Sequence, residues 1–167
     1  YPSTWAVQSD AKRASFYSSE DVKSRFIDPT STGPLGAMMA IAFEPQGTLA
    51  DVNQVVQSSK DEIQGAKIEP DQSIRFSERP AVMYAYFYGV DDKTSLRGYK
   101  IFALADSTLY TFTAEGFNDR FEAYKPAMDS TFRTVRLMAP RTAASFSSAP
   151  SATMTSVSTD HFEMEYP

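Results

Sequence analysis

The 167-residue chain carries a net charge of −5, with 42% apolar and 22% charged residues. That balance describes a globular domain and argues against a nucleic-acid-binding surface, since no basic cluster accompanies it. The chain has no cysteine and a single histidine, His161. This excludes disulfides, thiolate chemistry and a multi-histidine metal site.

The chain opens with a Pro-containing turn at Tyr1-Pro2 and a short apolar strand through Ala6 and Val7. Trp5, the only tryptophan, reads as a core anchor, with a binding role as the alternative. Residues 8–21 are polar and fit a long loop or a short hairpin, and Val22 to Ile27 alternates weakly, as a strand does. Residues 28–34, rich in Pro, Gly, Ser and Thr, form a loop.

The run Gly36 to Glu44 is a strand whose Ala37, Met39, Ile41 and Phe43 share one face. Thr48, with Asp51 three residues later, predicts a capped helix start. The stripe Leu49, Val52, Val55, Val56, Ile63 carries that helix toward Gly65, which suits a left-handed C-terminal position. Ile68 to Ser77 reads as a strand with an early break at Pro70, and Arg79-Pro80 turns the chain into its central feature.

That feature is a three-strand meander over residues 81–115. In its first strand Val82, Tyr84, Tyr86, Tyr88 and Val90 take one face, and Met83, Ala85 and Phe87 the other. Ile101 and Ala103 oppose Phe102 and Leu104 in the second. Both faces are apolar, so both need cover, and the short polar links demand antiparallel neighbours. A helix begins at Asn118 or Asp119, with Phe121, Tyr124 and Met128 as its apolar face; Pro126 should kink or restart it before it ends near Ser130. Residues 132–138 read as a last strand or extended tail.

The domain therefore spans residues 1–138, followed by a Ser/Thr/Ala/Pro-rich linker over 139–159. Residues 160–167 read as a further strand. The chain closes on EYP and opens on YPSTW, so this octapeptide reads as the first strand of a following copy, as an edge strand returning to its own domain, or as a frayed tail whose similarity is chance. Period 2 would turn Phe162, Met164 and Tyr166 inward for strand complementation, leaving His161 in water.

The pattern resembles the PsbP-like family. The residues that carry the resemblance are YPSTW, the Phe26-Ile27-Asp28-Pro29 loop, the strand–helix pair 37–64, Leu109-Tyr110-Thr111-Phe112-Thr113-Ala114, and the closing Tyr124-Lys125-Pro126 and Ser130-Thr131-Phe132-Arg133. Thr131 departs from the family by separating Ser130 from Phe132. The resemblance implies an α+β fold of the Mog/PsbP type: a central antiparallel sheet with helices on both faces, an α/β/α sandwich. It also implies a non-catalytic role, as an extrinsic lumenal subunit or assembly factor of photosystem II. Its partner would then be a membrane-associated photosystem complex and its compartment extracytoplasmic or the thylakoid lumen.

The residues themselves show no nucleophile elbow, phosphate-binding glycine loop or calcium loop, and no run of membrane-spanning length. We expect no catalytic residues, no cofactor, no nucleic-acid partner and no transmembrane segment, and the sequence assigns no metal ligands. Two alternatives stand beside the assembly module. One is a small-ligand binder using Tyr84, Tyr86 and Tyr88 as a ligand or partner face, against packing of those rings under a helix. The other is an enzyme using Asp91, Asp92 or Glu115, against their being ordinary solvated acids.

Overall fold

The structure, a computed structural model, describes residues 1–45, 48–137, 155–158 and 162–166, with the backbone alone at 49, 155–158 and 162–166. Eight antiparallel strands form the main sheet, in the order β1-β2-β3-β8-β7-β6-β4, with β5 also paired to β6. These are β1 (Ala6–Ser9), β2 (Arg13–Tyr17), β3 (Ala37–Pro45), β4 (Lys67–Ile68), β5 (Gln72–Phe76), β6 (Arg79–Gly89), β7 (Ser95–Ala105) and β8 (Thr108–Phe117). Three helices accompany them: α1 (Lys23–Ile27), α2 (Leu49–Asp61) and α3 (Arg120–Thr134). The result is α+β, a sheet covered by helices on both faces.

Local chemistry sets the strand connections. Asp10 closes the β1–β2 hairpin by accepting from the Lys12 and Arg13 amides, at 2.7 and 2.9 Å. Asp91 does the same between β6 and β7, accepting from Lys93 and Thr94 at 2.8 Å each. Two-residue turns join β5 to β6 and β7 to β8, and both are left-handed: Ser77 and Glu78 at φ 47° and 64°, Asp106 and Ser107 at φ 49° and 62°. That geometry matches the right-handed twist of the flanking strands.

The α2 N-terminus forms the expected capping box, Asp51 N–H donating to Thr48 Oγ1 and Thr48 N–H to Asp51 Oδ2. Gly65 follows at φ +76°, a conformation that costs a glycine nothing. Helix α3 runs through Pro126, which is exposed, and reaches Thr134, four residues past the expected end. The helix thereby takes in Phe132, expected in the following extended segment. Burial of Phe121, Met128 and Phe132 along one side outweighs the lost backbone donor.

The segment 22–27 departs from expectation: it is a 3-10 turn (Glu20–Val22) followed by α1, not a strand. Val22 and Phe26 stand four residues apart, and the helical turn sends both into one apolar cluster with Tyr17 and Met38. Arg25 fixes the turn. Its Nη1 donates to the carbonyls of Ser31 and Gly33 at 2.7 and 2.8 Å, its Nη2 lies 3.3 Å from Thr94 Oγ1, and its guanidinium covers the Phe117 ring.

The two layers of core are distinct. Phe16, Met39, Ile41 and Phe112 lie under α3, and Trp5 packs there with its ring edge-on to Tyr124, centroids 5.6 Å apart. Val52 and Val56 of α2 pack on Tyr84, Tyr86, Phe102 and Leu109 across the opposite face. A small second sheet pairs β10 (Thr155–Ser158) with β11 (Phe162–Tyr166) and β11 with β9 (Arg136–Leu137), Phe162 opposite Leu137. The backbone of residues 162–166 thus pairs within its own chain. His161, most of the linker and the side chains of Phe162, Met164 and Tyr166 lie outside the described residues.

Candidate functional site

The tyrosine row is interior. Tyr84 and Tyr86 are 0% and 2% exposed beneath α2, and Tyr88 is partly buried at the same layer. The strand register explains where their hydroxyls go. Tyr84 stands opposite Lys100, and Tyr86 opposite Gly98, which stands opposite Glu115. With no side chain on Gly98, the Tyr86 ring crosses β7 and its hydroxyl donates to Glu115 Oε1 on β8. A Cβ at Gly98 would lie 2.8 Å from the Tyr86 ring and 2.7 Å from the Ala114 carbonyl oxygen. A glycine inside a strand signals such an approach, and LRGYK carried that signal.

One row along, Tyr84 donates to Ser59 Oγ on α2 at 2.8 Å, and Lys100 Nζ reaches the same oxygen at 2.8 Å. Burial raises the Glu115 carboxyl above its usual range, against the hydrogen bond from Tyr86 and the charges of Lys100 and Arg13. Burial lowers the Lys100 ammonium, and it holds the Tyr84, Tyr86 and Tyr88 phenols above theirs. Tyr84 is thereby held to Ser59 and Tyr86 to Glu115, while Tyr88 stays partly buried beside them.

The other acids considered for chemistry lie elsewhere. Asp91 caps its turn, and the Lys93 amide holds its carboxyl below the usual range. Asp92 is exposed beside it, and Glu115 is committed to Tyr86. Among the described residues no group of three or more histidine or acidic side chains gathers around a point that could hold a metal ion.

The opening lies on the opposite face, where sequence reasoning placed nothing. Helix α3 packs chiefly on β8, β3 and β7; Phe76 of β5 and Ala81 of β6 are buried beside it, and among the described residues Met83 and Ala85 of β6 are only partly covered. The result is a groove of about 640 Å³, within the range of small-molecule sites. Met83, Ala85, Tyr99 and Ile101 make its floor, α3 supplies one wall with Phe121 and Phe132, and Phe76 of β5 stands on the other. Phe76 and Phe132 both lean on Phe112, centroids 4.3 and 5.5 Å away, and so close one end together.

Charges rim this apolar trough. Arg97 of β7 pairs with Glu122 of α3 at 2.7 Å and straps sheet to helix. Asp129 accepts from the Tyr99 hydroxyl at 2.6 Å and pairs with Lys125 at 2.5 Å. Burial, then Asp129, pushes the Tyr99 phenol far above its ordinary value. Lys67, Arg75 and Arg133 also line the groove and have no carboxylate within ion-pair distance among the described residues. Glu69 is the one remaining acid on the rim, so the groove is cationic within an acidic chain. The alternation of Met83, Ala85 and Phe87 gave this face away as apolar; the short reach of α3 that leaves it open had no signal in the sequence.

Comparison with known proteins defines the class at the level of fold. No protein-family profile matches the chain, and no curated protein sequence does. Among solved structures, PA94 from Pseudomonas aeruginosa, a protein of unknown function, is similar with a TM-score of 0.54 at 18% identity, over 81% of this chain and 87% of its own. The solution structure of cyanobacterial PsbP (CyanoP) from Synechocystis sp. PCC 6803 aligns with a TM-score of 0.49 at 15% identity, over 78% of this chain and 79% of its own. At such identities the likeness to PA94 is one of fold alone.

Proposed function

We propose that the chain is a non-catalytic binding module and that the groove beside α3 is where it binds. The observation that carries this is the contrast of sign and access. An apolar floor lies open on one face of the sheet under a cationic rim, while on the opposite face Tyr86 is bonded to Glu115, and Tyr84 and Lys100 to Ser59. Among the described residues no helix is long and apolar enough to cross a membrane.

In its finer form, supported by the motif resemblance, the module is a PsbP-like extrinsic subunit or assembly factor of photosystem II, working in the thylakoid lumen or outside the cytoplasm. A second form, a module for a small ligand, is favoured by the depth and apolar floor of the groove. The test is retention on membranes from the source organism. The wild-type chain should be held at low salt and released as salt screens the rim charges, and a chain with Lys67, Arg75 and Arg133 each changed to Glu should be released at lower salt. Equal recovery of both chains in the unbound fraction at low salt overturns the membrane-complex form of the proposal.

A further inference from the structure

We infer that the groove takes an amphipathic anion, an unbranched aliphatic carboxylate, with its chain along β6 and β7 and its head group at the arginine end. The inference rests on reading the groove as the binding site, and it names the chemistry of the occupant.

Three features select that class. The floor is apolar along the strand from Met83 to Phe87, a run of roughly 13 Å at the ordinary strand rise. Met83 and Ile101 are adaptable aliphatic contacts, and the rings of Tyr99, Phe121 and Phe132 line the α3 side. The two ends differ. At one, Arg97 is already held by Glu122 and covers the exposed Phe87 ring, with its carbon 5.8 Å from the ring centroid. At the other, Arg75 from β5 and Arg133 from the last turn of α3 adjoin Phe76 and Phe132, the pair of rings that closes the trough. Arg75 donates only to the Glu78 carbonyl, at 2.5 Å, and keeps further guanidinium donors. Planar guanidinium donors suit a carboxylate. A cationic amphiphile would meet like charge there, and a neutral one would leave those donors unused.

The test is titration of the full chain with dodecanoate, decanoate and dodecyltrimethylammonium below their micelle concentrations, read by calorimetry and by amide shift mapping. Dodecanoate should bind with shifts confined to β5–β7 and α3. Decanoate, two methylenes shorter, should bind roughly fifteenfold more weakly, at about fourfold per methylene buried. The cation should bind at least tenfold more weakly than dodecanoate. Arg75→Glu with Arg133→Glu, both exposed and outside the core, should reverse the preference between the two dodecyl heads while the thermal midpoint holds. Equal binding of anion and cation in the groove overturns the anionic occupant and leaves the groove standing as a site. Shifts on the α2 face, or none anywhere, overturn the occupant. In that event salt-sensitive membrane retention that weakens when the groove charges are reversed would still support the binding-module reading, and its absence would remove both.

Discussion

The two faces of one sheet solve the same problem differently. Residues 81–88 of β6 send their side chains alternately to one face and the other, and both sets are apolar or aromatic. On the α2 side the helix lies across β7, and the polar atoms beneath it pair among themselves: Tyr86 with Glu115, Tyr84 and Lys100 with Ser59. On the other side α3 sits toward β8 and β3, and the same strand, one residue out of phase, is left partly open along Met83, Ala85 and Phe87. Similar composition therefore yields a locked interior and an accessible trough. The position of the covering helix decides which.

The largest effects should come from breaking the locked side. Gly98→Val places atoms inside contact distance of the Tyr86 ring and the Ala114 carbonyl, and separates Tyr86 from Glu115. We expect a loss of about 3 to 5 kcal/mol in urea unfolding. A substitution of similar size on the groove floor, Ala85→Val, should cost less than about 1 kcal/mol, because the space above it is empty.

Next in size, Tyr86→Phe leaves the buried Glu115 carboxylate without its donor and should cost about 2 kcal/mol. Arg25→Met should cost a similar amount, about 2 kcal/mol, since the Ser31 and Gly33 carbonyls then lose their donor. Its signature differs, with amide exchange rising first in residues 28–36.

The pH dependence sharpens the contrast further. Glu115 has a carboxyl raised by burial, so the folded state binds more protons than the unfolded one over the pH range between the two values. Its contribution to stability is greatest below about 4.5 and is lost as pH rises toward the folded value. Glu115→Gln should flatten that decline in urea midpoints taken across the acid range. Lys100, lowered by burial, works in the opposite sense, adding stability as pH climbs toward 10.5.

The smallest effect should be Arg97→Ala. Its pair with Glu122 joins side chains 51% and 61% exposed, and removing it should change stability by less than about 1 kcal/mol.

Much of the architecture was legible because period 2 and helix capping are local. The opposed rows of β6 and β7, the β3 face through Phe43 and the Thr48–Asp51 box all follow from neighbouring residues. Residues 22–27 misled because a single helical turn, fixed by the contact of its own Arg25 with distant Thr94, has too few residues to show a period. Tyr84 and Tyr86 were legible as a row, and their burial depended on where α2 would land. The groove was not legible at all. It is built from β5, β6, β7 and α3, elements separated by tens of residues, and it exists by virtue of what α3 fails to cover.

The most direct measurement of that difference is methionine oxidation by dilute peroxide, followed by peptide mapping. Met38, Met39 and Met128 are at most 6% exposed, whereas Met83 lies partly buried in the groove floor. An open trough predicts that Met83 oxidises well ahead of those three, since sulfoxide formation follows access. Oxidation of Met83 as slow as that of Met39 would mean that the face is closed, and it would contradict the account.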